Sequence, residues 1–93
     1  MFKDVIEVRA LGGHRVWLRF EDGVEGELDL DKLIDFHGVF APLEDEHEFA
    51  KVHVNREIGT IVWPNGADLD PDVLYSAVTR EPIATAGPTE PPV

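Results

Sequence analysis

The sequence contains no cysteine, which excludes disulfide bonds, thiolate metal ligands and catalytic thiols. It also lacks an apolar run long enough to span a membrane. The opening residues, MFKDVIEVRA, have no apolar core of the kind that a secretory signal carries behind its positive charge. We therefore expect a cytoplasmic protein that makes no contact with a membrane.

Positive charge is scarce, with 8 lysines and arginines against 19 acidic residues and a formal net charge of −11. A chain with this balance repels phosphate groups, so we expect no direct binding to nucleic acid. The same charge suits solubility, or docking onto a basic partner protein through charge complementarity. At 93 residues the chain is long enough for one domain with a modest core.

Residues that carry catalysis or bind metals are also few. Ser76 is the only serine and belongs to no GxSxG motif, and no glycine-rich phosphate loop is present. The four histidines lack the helical spacing of a zinc site. Asp68, Asp70 and Asp72 alternate as in a calcium loop, but the glycine and glutamate that such a loop requires are missing. We therefore expect no enzyme activity, no catalytic residues, no cofactor and no metal site.

What the chain does contain begins with three segments of alternating pattern. Apolar and polar residues alternate along residues 5–11, 15–20 and 24–30, the two-residue period of half-buried strands. These segments predict an antiparallel three-stranded meander. Trp17 falls on its polar face, either as a platform for arginine side chains or as a partly exposed contact residue.

The register of this meander follows from its two faces. A three-residue loop at residues 21–23 pairs Leu18 with Gly26, whereas a two-residue loop would bury a glutamate. A similar alignment of the first two strands pairs Ile6 with Phe20. The first third of the chain is thus predicted to be apolar on one side and to carry charge pairs on the other.

The middle of the chain predicts a helix and a second hairpin. Residues 41–51 read as a short helix, with an acidic first half that favours the positive end of the helix dipole. Residues 52–55 and 60–63 predict two strands. A four-residue loop with Gly59 in the left-handed conformation joins them.

The most specific stretch, TIVWPNGADLDPDVLY, covers residues 60–75. Its strand is stopped by a proline and followed by an Asn-Gly turn, and an aspartate before Pro71 predicts a helix N-cap. The tryptophan reads first as a core residue, and alternatively as an aromatic contact patch with the proline after it. Six residues form this candidate interaction or structural signature: Trp63, Pro64, Asn65, Gly66, Asp68 and Asp70.

The end of the chain differs in composition. Residues 81–93 hold four prolines and few large apolar side chains, too few to offset the entropy of ordering. We expect residues 1–80 to form a single α+β domain and residues 81–93 to be a disordered tail. The predicted order is the antiparallel three-stranded meander, a short helix, a β-hairpin and a short C-terminal helix.

The chain resembles a bacterial family known as domain of unknown function 2442. The resemblance lies in WPNGADLDPDVLY, in the segment VFAPLEDEHEFAKVHVN, and in the FEDG turn followed by Asp29-Leu30. It implies a small α+β domain with no assigned catalytic residues. In some members a similar domain precedes a helix-turn-helix DNA-binding domain, and others are encoded beside a small partner in arrangements like toxin–antitoxin pairs.

Three functional hypotheses follow. The first is a non-enzymatic protein-binding or regulatory module, antitoxin-like in its most concrete form. The second is a small-ligand or metal sensor built around Trp63, Asn65, Asp68 and the histidines. The third is self-association into a homodimer through a free edge of the third or fifth strand.

Overall fold

The structure, a computed structural model, describes residues 3–80. The predicted disordered tail at residues 81–93 lies outside the described residues, and the domain boundary at residue 80 stays a prediction. Within residues 3–80, no helix is long and apolar enough to cross a membrane.

Three antiparallel strands form the predicted meander. Strand β1 covers Val5–Gly12, β2 covers Arg15–Phe20 and β3 covers Glu25–Asp29, in the order β1-β2-β3. Leu18 lies opposite Gly26, as the two-face argument required. The loop between β2 and β3 turns at Gly23, whose φ of 92° is one that a residue with a side chain rarely adopts.

One register prediction in the meander is wrong. The pairing between β1 and β2 shifts near Ile6, so that Val5, rather than Ile6, lies opposite Phe20. Val5 is buried, whereas the side chain of Ile6 is 41% exposed. A β-bulge adds one unpaired residue and moves the preceding side chains to the other face, which alternation alone does not reveal.

The segment between the two hairpins is more broken than predicted. A 3₁₀ helix spans Gly38–Glu44, and a separate short helix, α1, covers Glu46–Phe49. The break falls at Asp45, whose backbone is extended and whose carboxylate accepts a hydrogen bond of 2.8 Å from the His47 N–H. The continuous helix predicted over residues 41–51 is therefore wrong, because Asp45 caps a new helix instead of continuing the first.

The second hairpin contains β4 (His53–Asn55) and β5 (Thr60–Val62), which pair antiparallel. Gly59 is left-handed, as predicted, with φ of 71°. Its carbonyl accepts a hydrogen bond of 2.9 Å from the Val5 N–H. This bond connects the second hairpin to the start of β1.

Helix α2 covers Pro71–Arg80 and completes the mixed α+β fold. It packs against β3, where a Cβ added to Gly26 would come within 3.0 Å of Val78. The largest fully buried side chains come from both hairpins, the connecting segments and α2: Trp63, Phe20, Phe49, Leu18, Leu30, Ile61, Leu74, Val5 and Val16.

Candidate interaction site

Trp63 lies in the core. Its side chain is 2% exposed, and its indole N–H donates a hydrogen bond of 2.9 Å to the Phe49 carbonyl. The ring centroid lies 5.5 Å from that of Phe49 and 6.3 Å from that of Phe40. The indole therefore ties β5 to α1 and satisfies its one polar group inside the core.

The turn after Trp63 is exposed but is held by its own side chains. The amide nitrogen of Asn65 donates to the Val39 carbonyl at 2.8 Å, and its oxygen accepts from the Ala67 N–H at 3.1 Å. Gly66 has φ of 95° and donates its N–H to the Trp63 carbonyl. Asn65 thus connects the turn to the 3₁₀ helix, and Pro64 and Gly66 lie on the surface beside it.

The two acidic residues of the signature have different surroundings. The Asp70 carboxylate accepts a hydrogen bond of 2.8 Å from the Asp72 N–H and so caps α2. Asp68 is exposed, and its backbone forms an isolated bridge with Val62. The structure therefore uses most of the signature to build a turn and a helix start.

His14, which the sequence analysis considered only as one of four histidines, joins distant parts of the chain. One ring nitrogen lies 2.6 Å from the Asp31 carboxylate and the other 2.9 Å from the Glu44 carbonyl. Its ring also contacts the rings of Phe36 and Phe49, with centroids 4.7 Å and 4.9 Å away. No local pattern marks these contacts, because the partners lie 17 or more residues away.

These contacts determine the charge of His14. Burial alone lowers the pKa of the imidazole, but the hydrogen bond and charge of Asp31 and the Glu44 carbonyl outweigh it. The pKa is therefore raised above its ordinary value. Both partners can only accept, so the charged imidazolium, which donates from both nitrogens, satisfies the site completely.

The metal form of the sensor hypothesis requires histidines and carboxylates that lie close together. Among residues 3–80, no group of three or more histidine and acidic side chains is placed to hold a metal ion. His47 is almost wholly exposed on α1, at 97% of its side chain, while His14 has structural partners. The described residues therefore give no support to the metal-binding form of the sensor hypothesis.

The outer face of the meander carries charge pairs around Trp17. The guanidinium carbon of Arg9 lies 5.3 Å from the Trp17 ring centroid, and the indole N–H donates to Glu25 at 3.1 Å. Glu7 forms ion pairs with Arg9 and Arg19 at 3.2 Å and 2.7 Å. The hydrogen bond from Arg9 is the main reason why the pKa of Glu7 is lowered. Of the two readings of Trp17, the structure supports a platform for arginine.

A groove of about 450 Å³ lies between α2 and the segment that follows β3. Leu33 and Val73 flank it and expose 36% and 46% of their surface. Its lining combines apolar and polar side chains: Leu33, Asp72, Val73, Ser76, Ala77 and Arg80. Sequence reasoning missed this groove, because Leu33 and α2 are about 40 residues apart in the chain.

A family profile described as "Protein of unknown function (DUF2442)" matches residues 5–80. The chain belongs to this family. The profile covers every strand and helix described above, so the family assignment and the mixed α+β fold agree. No curated protein matches the DUF2442 chain.

Among solved structures, the DUF2442 chain is similar to a crystal structure from Nitrosomonas europaea described as that of a "Putative DNA Binding Protein". The two share 23% sequence identity with a TM-score of 0.74, over 88% of this chain and 52% of the other. At this identity the likeness shows a common fold alone. The DUF2442 chain spans about half the length of that neighbour.

This neighbour contradicts the prediction that no nucleic acid is bound, and that prediction is withdrawn. It rested on the net charge, which is a sum over the whole chain. Binding depends instead on the charge of the face that makes contact, and on any further segment of a longer protein. In the DUF2442 domain Arg9, Arg15 and Arg19 share one face of the sheet with the carboxylates of β1 and β3, so the total of −11 does not describe how charge is distributed over that face.

Proposed function

We propose that this DUF2442 domain is a non-enzymatic protein-binding module with a regulatory role. The observation that carries the proposal is the groove along α2, where Leu33 and Val73 stay exposed beside a polar rim. Apolar surface surrounded by polar residues is typical of protein interfaces. By contrast, two residues of types that often act in catalysis or ligand binding, His14 and Asp70, form hydrogen bonds within the fold.

The regulatory part of the proposal draws on the comparisons. The fold recurs in a neighbour described as DNA-binding, and this chain spans about half of that protein. A binding domain attached to, or encoded beside, a second functional unit can control that unit by masking it or by recruiting it. An antitoxin-like masking role in the cytoplasm is the most concrete form of this proposal.

Co-purification from the native host tests the proposal with a matched pair of variants. Val73 on the groove and Val39 away from it are equally exposed, at 46% and 47%. Val73→Asp places a charge in the groove at the start of α2, where aspartate is well tolerated. We expect the wild type and Val39→Asp to retain the same partner protein, and Val73→Asp to lose it.

The contradicting outcomes are equally specific. Retention of no protein between about 50 mM and about 500 mM salt would overturn the protein-binding role, because both electrostatic and apolar contacts would have been sampled. Equal retention by all three proteins would show that the groove is not the binding surface.

DNA binding is the second candidate function, favoured by the description of the Nitrosomonas protein. The candidate phosphate contacts are the arginines of the outer sheet face, which DNA would have to draw away from their carboxylate partners. Fluorescence anisotropy with a labelled duplex of about 30 base pairs tests it. Binding by this face predicts an affinity that falls steeply with salt and is weakened by Arg15→Gln and Arg19→Gln. Arg56→Gln, in the loop between β4 and β5, is the control, and equal weakening by all three would exclude a specific face.

A further inference from the structure

The outer edge of β3 is open in the described part of the chain. The Phe20 N–H donates to the Val24 carbonyl at 2.8 Å, and the Leu30 N–H donates to the His14 carbonyl at 2.9 Å. Backbone groups of an antiparallel strand point alternately to its two sides. Those of Glu25, Glu27 and Asp29 therefore point away from β2, and within residues 3–80 no strand follows β3 in the sheet.

On the outer face of the sheet, β2 carries arginines and β3 carries carboxylates. Arg15 and Arg19 on β2 lie opposite Asp29 and Glu25 on β3, and Arg15 also forms an ion pair with Glu27. The outer face of β3, the edge strand, thus carries a column of three carboxylates. Opposite charges on neighbouring strands stabilise pairing, so a further strand would favour basic side chains on this face.

The inner face beside this edge is apolar. Helix α2 packs beneath β3 through Val78 and Gly26, and Leu33 follows the end of β3 by four residues. The groove between Leu33 and Val73 is lined mainly by α2, the helix that packs on the inner face of β3, so the inward side chains of an added strand would turn toward that helix. Such a strand would meet carboxylates on one face and apolar side chains on the other.

We propose, resting on the proposed function, that β3 accepts an extended segment of a partner protein as a fourth strand. The segment alternates basic and apolar residues. Its backbone bonds to Glu25, Glu27 and Asp29, its basic side chains face their carboxylates, and its apolar side chains cover the groove. Free backbone groups supply affinity, and the two faces select the sequence.

Two other occupants fit this edge poorly. A second copy of the chain pairing antiparallel through β3 would bring carboxylates opposite carboxylates, which is destabilising. Residues 81–93 contain four prolines, which lack backbone N–H groups and interrupt a strand, and two glutamates, which carry the wrong charge. Charge complementarity therefore favours a basic segment from another protein.

The test uses the full chain and a labelled peptide of about seven residues that alternates lysine and valine. We expect binding that weakens with salt, with NMR shifts centred on the amides of Glu25, Glu27 and Asp29. A peptide of alternating glutamate and valine should not bind. A lysine–valine peptide N-methylated along one edge should lose at least about tenfold in affinity, because it can no longer donate along that edge.

A pair of variants tests the edge from the side of the protein. Glu27→Pro removes an outward N–H, and edge strands tolerate proline, so we expect at least about a tenfold loss of peptide affinity with the fold retained. Glu57→Gln, in the exposed loop between β4 and β5, should stay within about twofold of the wild type. If Glu27→Pro fails to fold, the N-methylated peptide makes the same test on the unaltered chain.

The outcomes separate this edge from the broader function. NMR shifts away from β3 on peptide binding, or no peptide binding, would overturn the proposal that β3 accepts an added strand. A homodimer that Glu27→Pro disrupts would also overturn it, because a second copy would then occupy the edge. A native partner lost by Val73→Asp but kept by Glu27→Pro would also overturn it and leave the protein-binding role intact. If no native partner is retained, the proposed function fails, and the peptide still reports on the edge by itself.

Discussion

The two tryptophans define two regions that use the same side chain differently. Trp63 is enclosed by Phe40 and Phe49, and its indole donates to a backbone carbonyl inside the core. Trp17 lies half-buried on the outer face of the sheet, beneath Arg9, with its indole bonded to the Glu25 carboxylate. The inner region stabilises the fold, while the outer region is a charged surface that remains available for contact.

The largest expected effect comes from a pair of tryptophan variants that compares the two regions. Trp63→Ala should lower the free energy of unfolding by about 3–5 kcal/mol, because it leaves a large cavity and removes one of the two hydrogen bonds to the Phe49 carbonyl. Trp17→Ala should cost less, about 1–2 kcal/mol, because its surroundings are partly solvent. Urea denaturation followed by circular dichroism measures both. Equal losses would remove the distinction between the two regions.

Variants of His14 test how the core around Phe49 is connected to the turn between β1 and β2. His14→Ala leaves the Asp31 carboxylate and the Glu44 carbonyl without their donor and should cost about 1–3 kcal/mol. His47→Ala, on a wholly exposed side chain, should cost less than about 0.5 kcal/mol. Denaturant midpoints measured at about pH 6 compare the two variants with the wild type.

The raised pKa of His14 also predicts how its contribution to stability changes with pH. Because the pKa of His14 is raised in the folded protein, its contribution is fully present below about pH 6.5 and is lost as pH rises through the folded-state pKa. Asp31 faces the ring and favours the imidazolium, and the Glu46 carboxylate accepts a hydrogen bond from the adjacent Gly13 N–H. The stability difference between wild type and His14→Ala should shrink from about pH 5.5 to about pH 8.5, and a difference that grows would contradict this.

A smaller effect is expected at the start of α2. Asp70→Ala should cost about 1 kcal/mol through loss of the bond to the Asp72 N–H. Asp68→Ala, two residues earlier, should stay within about 0.5 kcal/mol. Thermal unfolding of the two variants under one buffer compares them. Equal costs would mean that the acidic residues act through their charge rather than through the cap.

The smallest effect belongs to the outer face. Arg9→Ala removes the cation over Trp17 and should cost less than about 1 kcal/mol, because both side chains are solvated. Tryptophan fluorescence should respond more clearly, since the Trp17 ring loses its cover. An unchanged Trp17 emission would show that the arginine does not rest on the ring in solution.

The same two regions differ in how far the sequence could predict them. The register of β2 and β3 was predictable, because a slip of one residue buries a carboxylate in a face that must be apolar. Ile6 was misplaced because a bulge depends on packing between strands, which alternation does not record. The break at Asp45 was missed because a carboxylate suits both a first helical turn and a cap.

The candidate surface depends on contacts that are distant in sequence. The sequence suggested that a free edge of the third strand could mediate self-association. It did not indicate that this strand packs against α2. The groove is lined by Leu33 and Val73, which come from separate parts of the chain. No local sequence pattern relates those two residues. In the same way, the charged column on β3 becomes an interface only because no strand of the described chain covers it.

Hydrogen exchange of the full chain, measured with and without its co-purified partner, tests the central claim most directly. The account predicts that the partner protects the amides of Glu25, Glu27 and Asp29 and the exposed side of α2. Protection confined to the Asn65-Gly66 turn, or to the arginine face of β1 and β2, would contradict it.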